Sequence, residues 1–405
     1  MGERCETGGG DVCGLRSSRL NNPPFVIGGA GVYAAHVTEE LVKLGHQVIV
    51  FTPAIGNTDS TEHPPSANLQ VWHVPVREAI PFNALQFWIN LPREIKKAER
   101  ERKFDVIHIN GLSYWFLPRR LSAAPHVLTV HHLARDAAES TGLDLSSRIK
   151  DLGGENGFLI PQIERRALYS VDRIVAVSNY TKDRILQTYN ISSAKIDVIY
   201  NGVESSKHIF KQEDLDQTRK DLKLPDCPII LFVGRVDDPR KGLDILIKAF
   251  GEVIRDTNAT LLIVGQGDHT KVQKLAKPFL KNIVMLGYVD ESILKKCYAL
   301  CDIYVCPSRL EGFGLTLLEA LTAGKPIIAT RTGAIPEVLG EQGILVEPND
   351  VDALSYAIRD VLKNCENRCN SPKSAVTTLE KFSWKSSANA LNKLYQECIG
   401  EFKII

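Results

Sequence analysis

Ile303-Tyr304-Val305-Cys306-Pro307-Ser308-Arg309-Leu310-Glu311-Gly312-Phe313-Gly314-Leu315-Thr316-Leu317-Leu318-Glu319-Ala320 reads as a strand, a glycine-interrupted turn and a helix. The apolar run Ile303–Cys306 has the character of a strand buried on both faces. From Leu315 to Ala323 the apolar residues recur at helical spacing. Glu311 stands at the mouth of the turn, and Glu319, eight residues on, stands about one turn inside the helix. Free N–H groups at a helix start form an anion site, and glycines let a ligand approach the backbone closely. A phosphate-bearing ligand with hydroxyl groups on either side, such as a nucleotide sugar, suits this arrangement.

The same alternation extends outward in both directions. Strand-like runs precede it at Val48–Thr52, Val71–Val74, Asp105–Asn110, His126–His131, Arg173–Ser178 and Ile196–Tyr200. A second series runs Ile229–Val233, Thr260–Val264, Ile283–Leu286, Ile303–Cys306, Pro326–Ala329 and Ile344–Val346. Helical patterns such as Val32–Leu44 and Leu243–Arg255 lie between them. Strand–helix alternation implies parallel sheets covered on both faces, and two series of six imply an α/β chain of two Rossmann-like domains. The pattern breaks after Asn201-Gly202-Val203 into a polar stretch, Glu204 to Asp226. The expected division is therefore an N-terminal domain at 1–203 and a C-terminal domain at 204–381. An amphipathic terminal helix is expected within 382–405.

At 405 residues, two domains are the default. A net charge of +1 lacks the basic footprint of a nucleic-acid binder. The 9 cysteines form no framework and no Cys-x-x-Cys, so neither disulfides nor a metal is expected, and reduced thiols suit a cytoplasmic protein. No apolar stretch approaches the ~20 residues of a spanning helix, and the first two dozen residues lack an apolar signal core.

Several further segments carry chemistry-bearing residues. Gly28, Gly29 and Gly31 precede a helix, where their N–H groups could face a phosphate, but their spacing is not Gly-x-Gly-x-x-Gly and alone reads as a tight turn. Arg235 leaves a strand and Lys241-Gly242 opens the next helix. Two cations six residues apart across such a loop can reach one diphosphate, arginine by its planar fork and lysine as a point charge. His131 ends a strand, where open α/β sheets place ligands, although a lone histidine there is more often a packing residue. Asp214-x-Asp216 reads as solvated, and Gly265-Gln266-Gly267 as a structural turn. Segment 82–103 joins aromatics to Arg93, Lys96, Lys97, Arg100, Arg102 and Lys103. It reads first as a solvated helix face, with peripheral contact to an anionic membrane inner face as the alternative.

Taken in order, these pieces resemble the retaining glycosyltransferases of family 4, which have the GT-B fold of two Rossmann-like domains facing across a cleft. The resemblance runs from about Pro23 to the C-terminus. It rests on Glu311-x7-Glu319, Gly234-Arg235 with Lys241-Gly242, Thr129-Val130-His131, Ala176-Val177-Ser178-Asn179 and Ile199-Tyr200-Asn201-Gly202-Val203. It implies that Arg235 and Lys241 hold the diphosphate of a UDP- or GDP-sugar donor. Glu311 would contact the transferred sugar, Glu319 the ribose, and the backbone at Phe313, Gly314 and Leu315 the phosphate or sugar. His131 would sit by the reacting sugar, with Gly28, Gly29 and Gly31 near the diphosphate and a lipid or saccharide acceptor. The donor would bind the C-terminal domain, the acceptor the N-terminal one, and the last helix would return to the first domain. No cofactor is implied, and the glutamates are not a glycosidase pair.

Two departures stand out. The family places an apolar strand before the glycine turn, whereas Cys5 to Leu20 is glycine-rich, charged and without alternation, a poor buried strand. A missing first strand would leave an inactive nucleotide-sugar-binding protein as an alternative, beside a GT-B epimerase. His132 stands where many relatives carry an aspartate.

Overall fold

A computed structural model describes residues 11–16, 28–54, 67–76, 83–111, 122–140, 160–204, 210–364 and 378–402. Among them are thirteen strands: β1 (Asp11–Arg16), β2 (Gln47–Ala54), β3 (Leu69–Pro75), β4 (Val106–Asn110), β5 (His126–Val130), β6 (Arg173–Ala176), β7 (Ile196–Val198), β8 (Ile229–Val233), β9 (Thr260–Val264), β10 (Ile283–Gly287), β11 (Ile303–Cys306), β12 (Ile327–Thr330) and β13 (Ile344–Val346). The helices are α1 (Gly29–Lys43), α2 (Asn83–Glu101), α3 (Ala134–Ser140), α4 (Ile160–Ser170), α5 (Asn179–Thr188), α6 (Gln212–Asp221), α7 (Leu243–Val253), α8 (Thr270–Leu275), α9 (Glu291–Leu300), α10 (Leu315–Thr322), α11 (Ile335–Leu339), α12 (Val351–Lys363) and α13 (Trp384–Phe402).

The strands form two parallel sheets, ordered β3-β2-β1-β4-β5-β6-β7 and β10-β9-β8-β11-β12-β13. In each, the order reverses beside the first strand of its series, the doubly wound arrangement that places ligands at the strand carboxyl ends. The chain divides into two compact units. Apart from residues 139–142, the first takes the chain up to Asn201 and adds Trp384–Ile405, while the second takes Gly202–Ser383. The division falls two residues before the sequence pattern places it. The reason is a hydrogen bond from the Val203 N–H to the Phe382 carbonyl, 2.9 Å, and a bridge from Val203 to Ser383, which bind Val203 to the end of the second unit.

One expectation is corrected. Residues Asp11–Arg16 do form the first strand, in register with Gln47–Phe51 of β2 and Val106–Asn110 of β4. A central strand is hydrogen-bonded along both edges, and β propensity yields to such context. The premise of a chain lacking its first strand is thereby removed. The polar stretch after Val203 also holds a helix, α6, on which Thr218 alone is buried and Asp216 accepts from Gln212 at 2.8 Å.

In the first unit, Phe51, Phe87, Leu91, Ile95, Leu128 and Ile174 pack a continuous core. Helix α2 contributes Phe87, Leu91, Ile95 and Ala98 to it, so its basic residues Arg93, Lys96, Lys97 and Arg100 face out. Glu94 turns inward instead, accepting from Trp72 Nε1 at 3.2 Å and Lys97 Nζ at 2.6 Å. In the second unit, Phe232, Leu246, Phe250, Leu261, Ile263 and Ile303 are central.

Helix α13 lies on α1 and β4 within the first unit. Trp384 stacks on His36 with ring centroids 5.0 Å apart, and His46 bonds Asn392 at 2.9 Å. The Tyr395 hydroxyl hydrogen-bonds His108 Nδ1, and His108 Nε2 bonds Thr129 Oγ1 at 2.7 Å. Thr129 in turn bonds the Tyr33 hydroxyl at 3.1 Å. Burial, reinforced by nearby His131, pulls the His108 pKa down to about 3, so the chain of bonds is neutral. Tyr395→Phe leaves a buried His108 nitrogen without its partner. It should lower stability by about 1–3 kcal/mol in urea unfolding, with little change in fold by circular dichroism. An unchanged midpoint would show that this bond does not hold α13.

Glu164 on α4 is buried, accepts from the Ala134 N–H at 2.8 Å and from the Tyr189 hydroxyl at 2.6 Å, and so caps the start of α3. Burial raises its pKa to about 7 from an ordinary 4.5, against the hydrogen bonds from Tyr189, Ala134 and Arg135. A carboxyl with a raised folded pKa gives stability that is complete below 4.5 and lost as pH rises through about 7. Stability should fall between pH 5 and 8 by up to about 1.4 kcal/mol per pH unit from this group, and Glu164→Gln should flatten that slope. Melting temperatures of both proteins across this range test it; parallel curves would contradict the assignment.

Candidate functional site

At the carboxyl edge of the second sheet, the loop after β8 carries Arg235 and Lys241, and the loop after β11 carries Glu311. The structure brings two of these together: Lys241 Nζ lies 2.7 Å from Glu311 Oε2. Ser308 Oγ donates to the same oxygen at 3.4 Å. Burial pulls the Lys241 pKa down, but the charge and hydrogen bond of Glu311 outweigh it, and the ammonium ends above the ordinary lysine value. A side chain at Gly234 would press on Phe232 at 3.3 Å and on the Lys241 stem at 3.6 Å, so glycine there leaves room for the lysine to fold back over the strand end. Arg235 is more open, 61% exposed, and only loosely paired with Asp237 at 3.3 Å.

Gly314 caps α10 in the left-handed region, φ 96°, and supplies no side-chain acceptor to the helix start. The first turn of α10, beginning at Leu315, therefore has no side-chain cap on its main-chain N–H groups, and the positive end of the helix dipole follows Glu311 by a few residues. Phe313 is buried edge-on against Phe382, centroids 5.6 Å apart, which fixes the turn from behind.

Glu319 lies within α10, about one turn along, as the spacing requires. Tyr298 on α9 donates its hydroxyl to Glu319 Oε2 at 2.7 Å. Burial raises the Glu319 pKa, and the Tyr298 bond opposes that rise. Nothing in the linear pattern marked Tyr298. The turn Gly265–Gly267 is structural, as read: a Cβ at Gly265 would stand 1.9 Å from the Gly234 carbonyl oxygen, and one at Gly267 2.5 Å from Asp237 Oδ1.

In the first unit, His131 at the end of β5 meets Asn110 at the end of β4. His131 Nε2 lies 2.7 Å from Asn110 Oδ1, and Asn110 Nδ2 donates to the Ala30 carbonyl at 2.8 Å in the first turn of α1. With the amide so oriented, Nε2 carries the histidine proton and Nδ1 the lone pair. Burial lowers the His131 pKa to about 4, so the imidazole is neutral at pH 7. Tyr33 stands edge-on to it, centroids 5.1 Å apart. Gly28 and Gly29 are exposed and Gly31 is buried, with Gly28 at φ 85°, and the Gly28 carbonyl accepts from the Gly31 and Val32 N–H groups. The glycine turn, Asn110 and His131 thus form one group. Asn110 was not singled out in the sequence, where only its place at a strand end could have marked it.

Among the described residues no three histidine, cysteine, aspartate or glutamate side chains converge on a cation site. Asp214 and Asp216 lie on α6, where neither side chain is buried.

Two family models match the chain. Glycosyltransferase Family 4 matches residues 27–207, and Glycosyl transferases group 1 matches residues 227–364. An uncharacterized glycosyltransferase of Methanocaldococcus jannaschii is 28% identical over 92% of this chain and 95% of its own length. The sucrose-phosphate synthase of Thermosynechococcus elongatus superposes with a TM-score of 0.79 at 22% identity, over 97% of this chain and 100% of its own. HepE of Anabaena, solved in complex with UDP and glucose, gives 0.72 at 17% identity, over 96% and 100%. One model falls on the strands around His131, the other on those around Lys241 and Glu311, and the chain belongs to the group 1, family 4 glycosyltransferases, enzymes of the GT-B fold.

Proposed function

We propose that this glycosyltransferase moves a sugar, with retention, from a UDP- or GDP-sugar to a lipid or saccharide acceptor. The observation that carries the donor reading is the Lys241–Glu311 pair at 2.7 Å beside the start of α10. Breaking the bond between the sugar and the diphosphate leaves negative charge on the phosphate. Lys241, Arg235 and the helix N-terminus stabilise that charge where it develops. Once a diphosphate takes up the Lys241 charge, Glu311 is free to accept from sugar hydroxyls. Glu319, with one oxygen held by Tyr298, offers the other to the ribose. These groups supply the charge the scheme needs, and it includes no metal.

On this reading the second unit binds donor and the first binds acceptor. Neutral His131 serves as a hydrogen-bonding partner of the reacting sugar. The acceptor hydroxyl attacks on the face from which the diphosphate leaves. The sugar–phosphate bond breaks, the sugar–acceptor bond forms, and the acceptor's proton passes to the leaving phosphate oxygen. The enzyme would work in the cytoplasm. For a lipid acceptor, the outward basic face of α2, with Arg93, Lys96 and Arg100 exposed, would lie on an anionic membrane surface. No helix among the described residues is long and apolar enough to cross a membrane.

A panel of UDP-, GDP-, ADP- and dTDP-sugars, assayed for binding and nucleotide release, tests the donor reading. At least one donor should bind and release nucleotide, and Lys241→Ala should weaken its binding at least about tenfold. Normal binding by that variant would remove the diphosphate role. Sedimentation with phosphatidylglycerol vesicles tests the membrane face. Lys96→Glu with Arg100→Glu should abolish co-sedimentation at low salt, and equal partition of both proteins would exclude this surface.

A further inference from the structure

Arg309 lies two residues before Glu311, and its contacts converge on the neighbouring loops. Its main-chain N–H donates to the Arg240 carbonyl at 2.6 Å. Its guanidinium donates to the Pro239 carbonyl at 2.6 Å and, as a fork, to both Asp244 oxygens at 2.8 and 2.7 Å. Nε donates to Asn349 Oδ1 at 2.7 Å. The Arg309 carbonyl accepts from Thr332 Oγ1 at 3.0 Å. One residue thereby joins the segments that follow β8, β11, β12 and β13 at the carboxyl edge of the sheet.

The place of these bonds matters more than their number. Lys241 follows directly on Pro239 and Arg240, whose carbonyls Arg309 holds. Glu311 follows two residues after Arg309 itself. Gly242, in the left-handed region at φ 64°, brings this loop so close to the next that a Cβ would stand 2.0 Å from the Pro307 carbonyl oxygen. A lysine stem is long and flexible, so the position of its ammonium depends on a fixed root. The Arg309–Asp244 fork supplies a bidentate bond that lysine at 309 could not reproduce.

We propose that Arg309, with Asp244 as its carboxylate partner, is a positioning residue that sets the separation of Lys241 and Glu311 without touching the donor. The role rests on the reading of that pair as a donor clamp. A displacement of about 1 Å at such a clamp can cost about a hundredfold in rate.

The test compares Arg309→Ala, Arg309→Lys, Asp244→Asn and the double variant Arg309→Ala/Asp244→Asn, with Lys241→Ala as control. Each is titrated with UDP, GDP, ADP and dTDP, and nucleotide release from the corresponding sugars is followed. Arg309→Ala and Asp244→Asn should each weaken nucleotide binding at least about tenfold and lower kcat by about a hundredfold. The double variant should do no worse, since both changes break one fork, and Arg309→Lys should not restore the loss. A merely structural contact would lower the melting temperature while folded molecules kept wild-type dissociation constants and kcat. That result overturns the proposal. Should Arg309→Ala not fold, Asp244→Asn, whose side chain is 39% exposed, carries the same comparison. If Lys241→Ala loses binding while folded Arg309→Ala and Asp244→Asn keep it, the positioning role alone fails. If Lys241→Ala binds as wild type, or no nucleotide binds at all, the clamp reading fails and the positioning role with it.

Discussion

Along the carboxyl edge of the second sheet, three main-chain segments run so close together that two of their residues cannot bear a side chain. A Cβ at Gly242 would stand 2.0 Å from the Pro307 oxygen, and one at Gly333 2.1 Å from the Glu311 oxygen. Both glycines have positive φ, which lets the chain turn where it touches its neighbour. The Ala334 N–H then bonds the Glu311 carbonyl at 2.9 Å, so Glu311 is held through its main chain from one side and through Lys241 from the other. The ion pair is a consequence of this close approach. It is partly buried, with side chains 27% and 14% exposed, and neither charge is left alone.

The first unit solves a different problem. Its last helix arrives after the chain has built the whole second unit, and it docks through polar contacts as well as apolar ones. Tyr395, His108, Thr129 and Tyr33 form a continuous hydrogen-bonded line from α13 through β4 and β5 to α1. Burial keeps His108 neutral, which avoids an unpaired charge in the core. Tyr33 also stands against His131, so the helix that carries the glycine turn and the terminal helix both bear on the histidine's surroundings.

Most of this fold was legible in the chain. Parallel strands covered on both faces are written as unbroken apolar runs, such as Ile229–Val233 and Thr260–Val264, and helices between them keep their own period. The strand Asp11–Arg16 was not legible. Its place is secured by backbone ladders to β2 and β4, which leave no mark in side-chain pattern. Helix α6 escaped for a related reason: with Thr218 alone buried, it has no apolar stripe to announce it. Glu311 and Glu319 could be placed on a turn and a helix because they belong to one local element. Which side chains they meet could not be read, since Tyr298 and Lys241 come from other elements, even though Lys241 itself was marked at the opening of its helix.

By itself, the sequence determined the two series of strands, the turn that opens α10, and the identity of the charged residues near it. Local period and glycine spacing suffice for those, because each depends on residues within one turn or one strand. Tertiary structure alone decided which charges meet. The Lys241–Glu311 pair, the Tyr298 bond to Glu319, the Asn110 bond to His131 and the Arg309 fork all join residues from separate elements. Their meeting depends on sheet order and on where glycine permits two backbones to touch, quantities that no window of the chain contains.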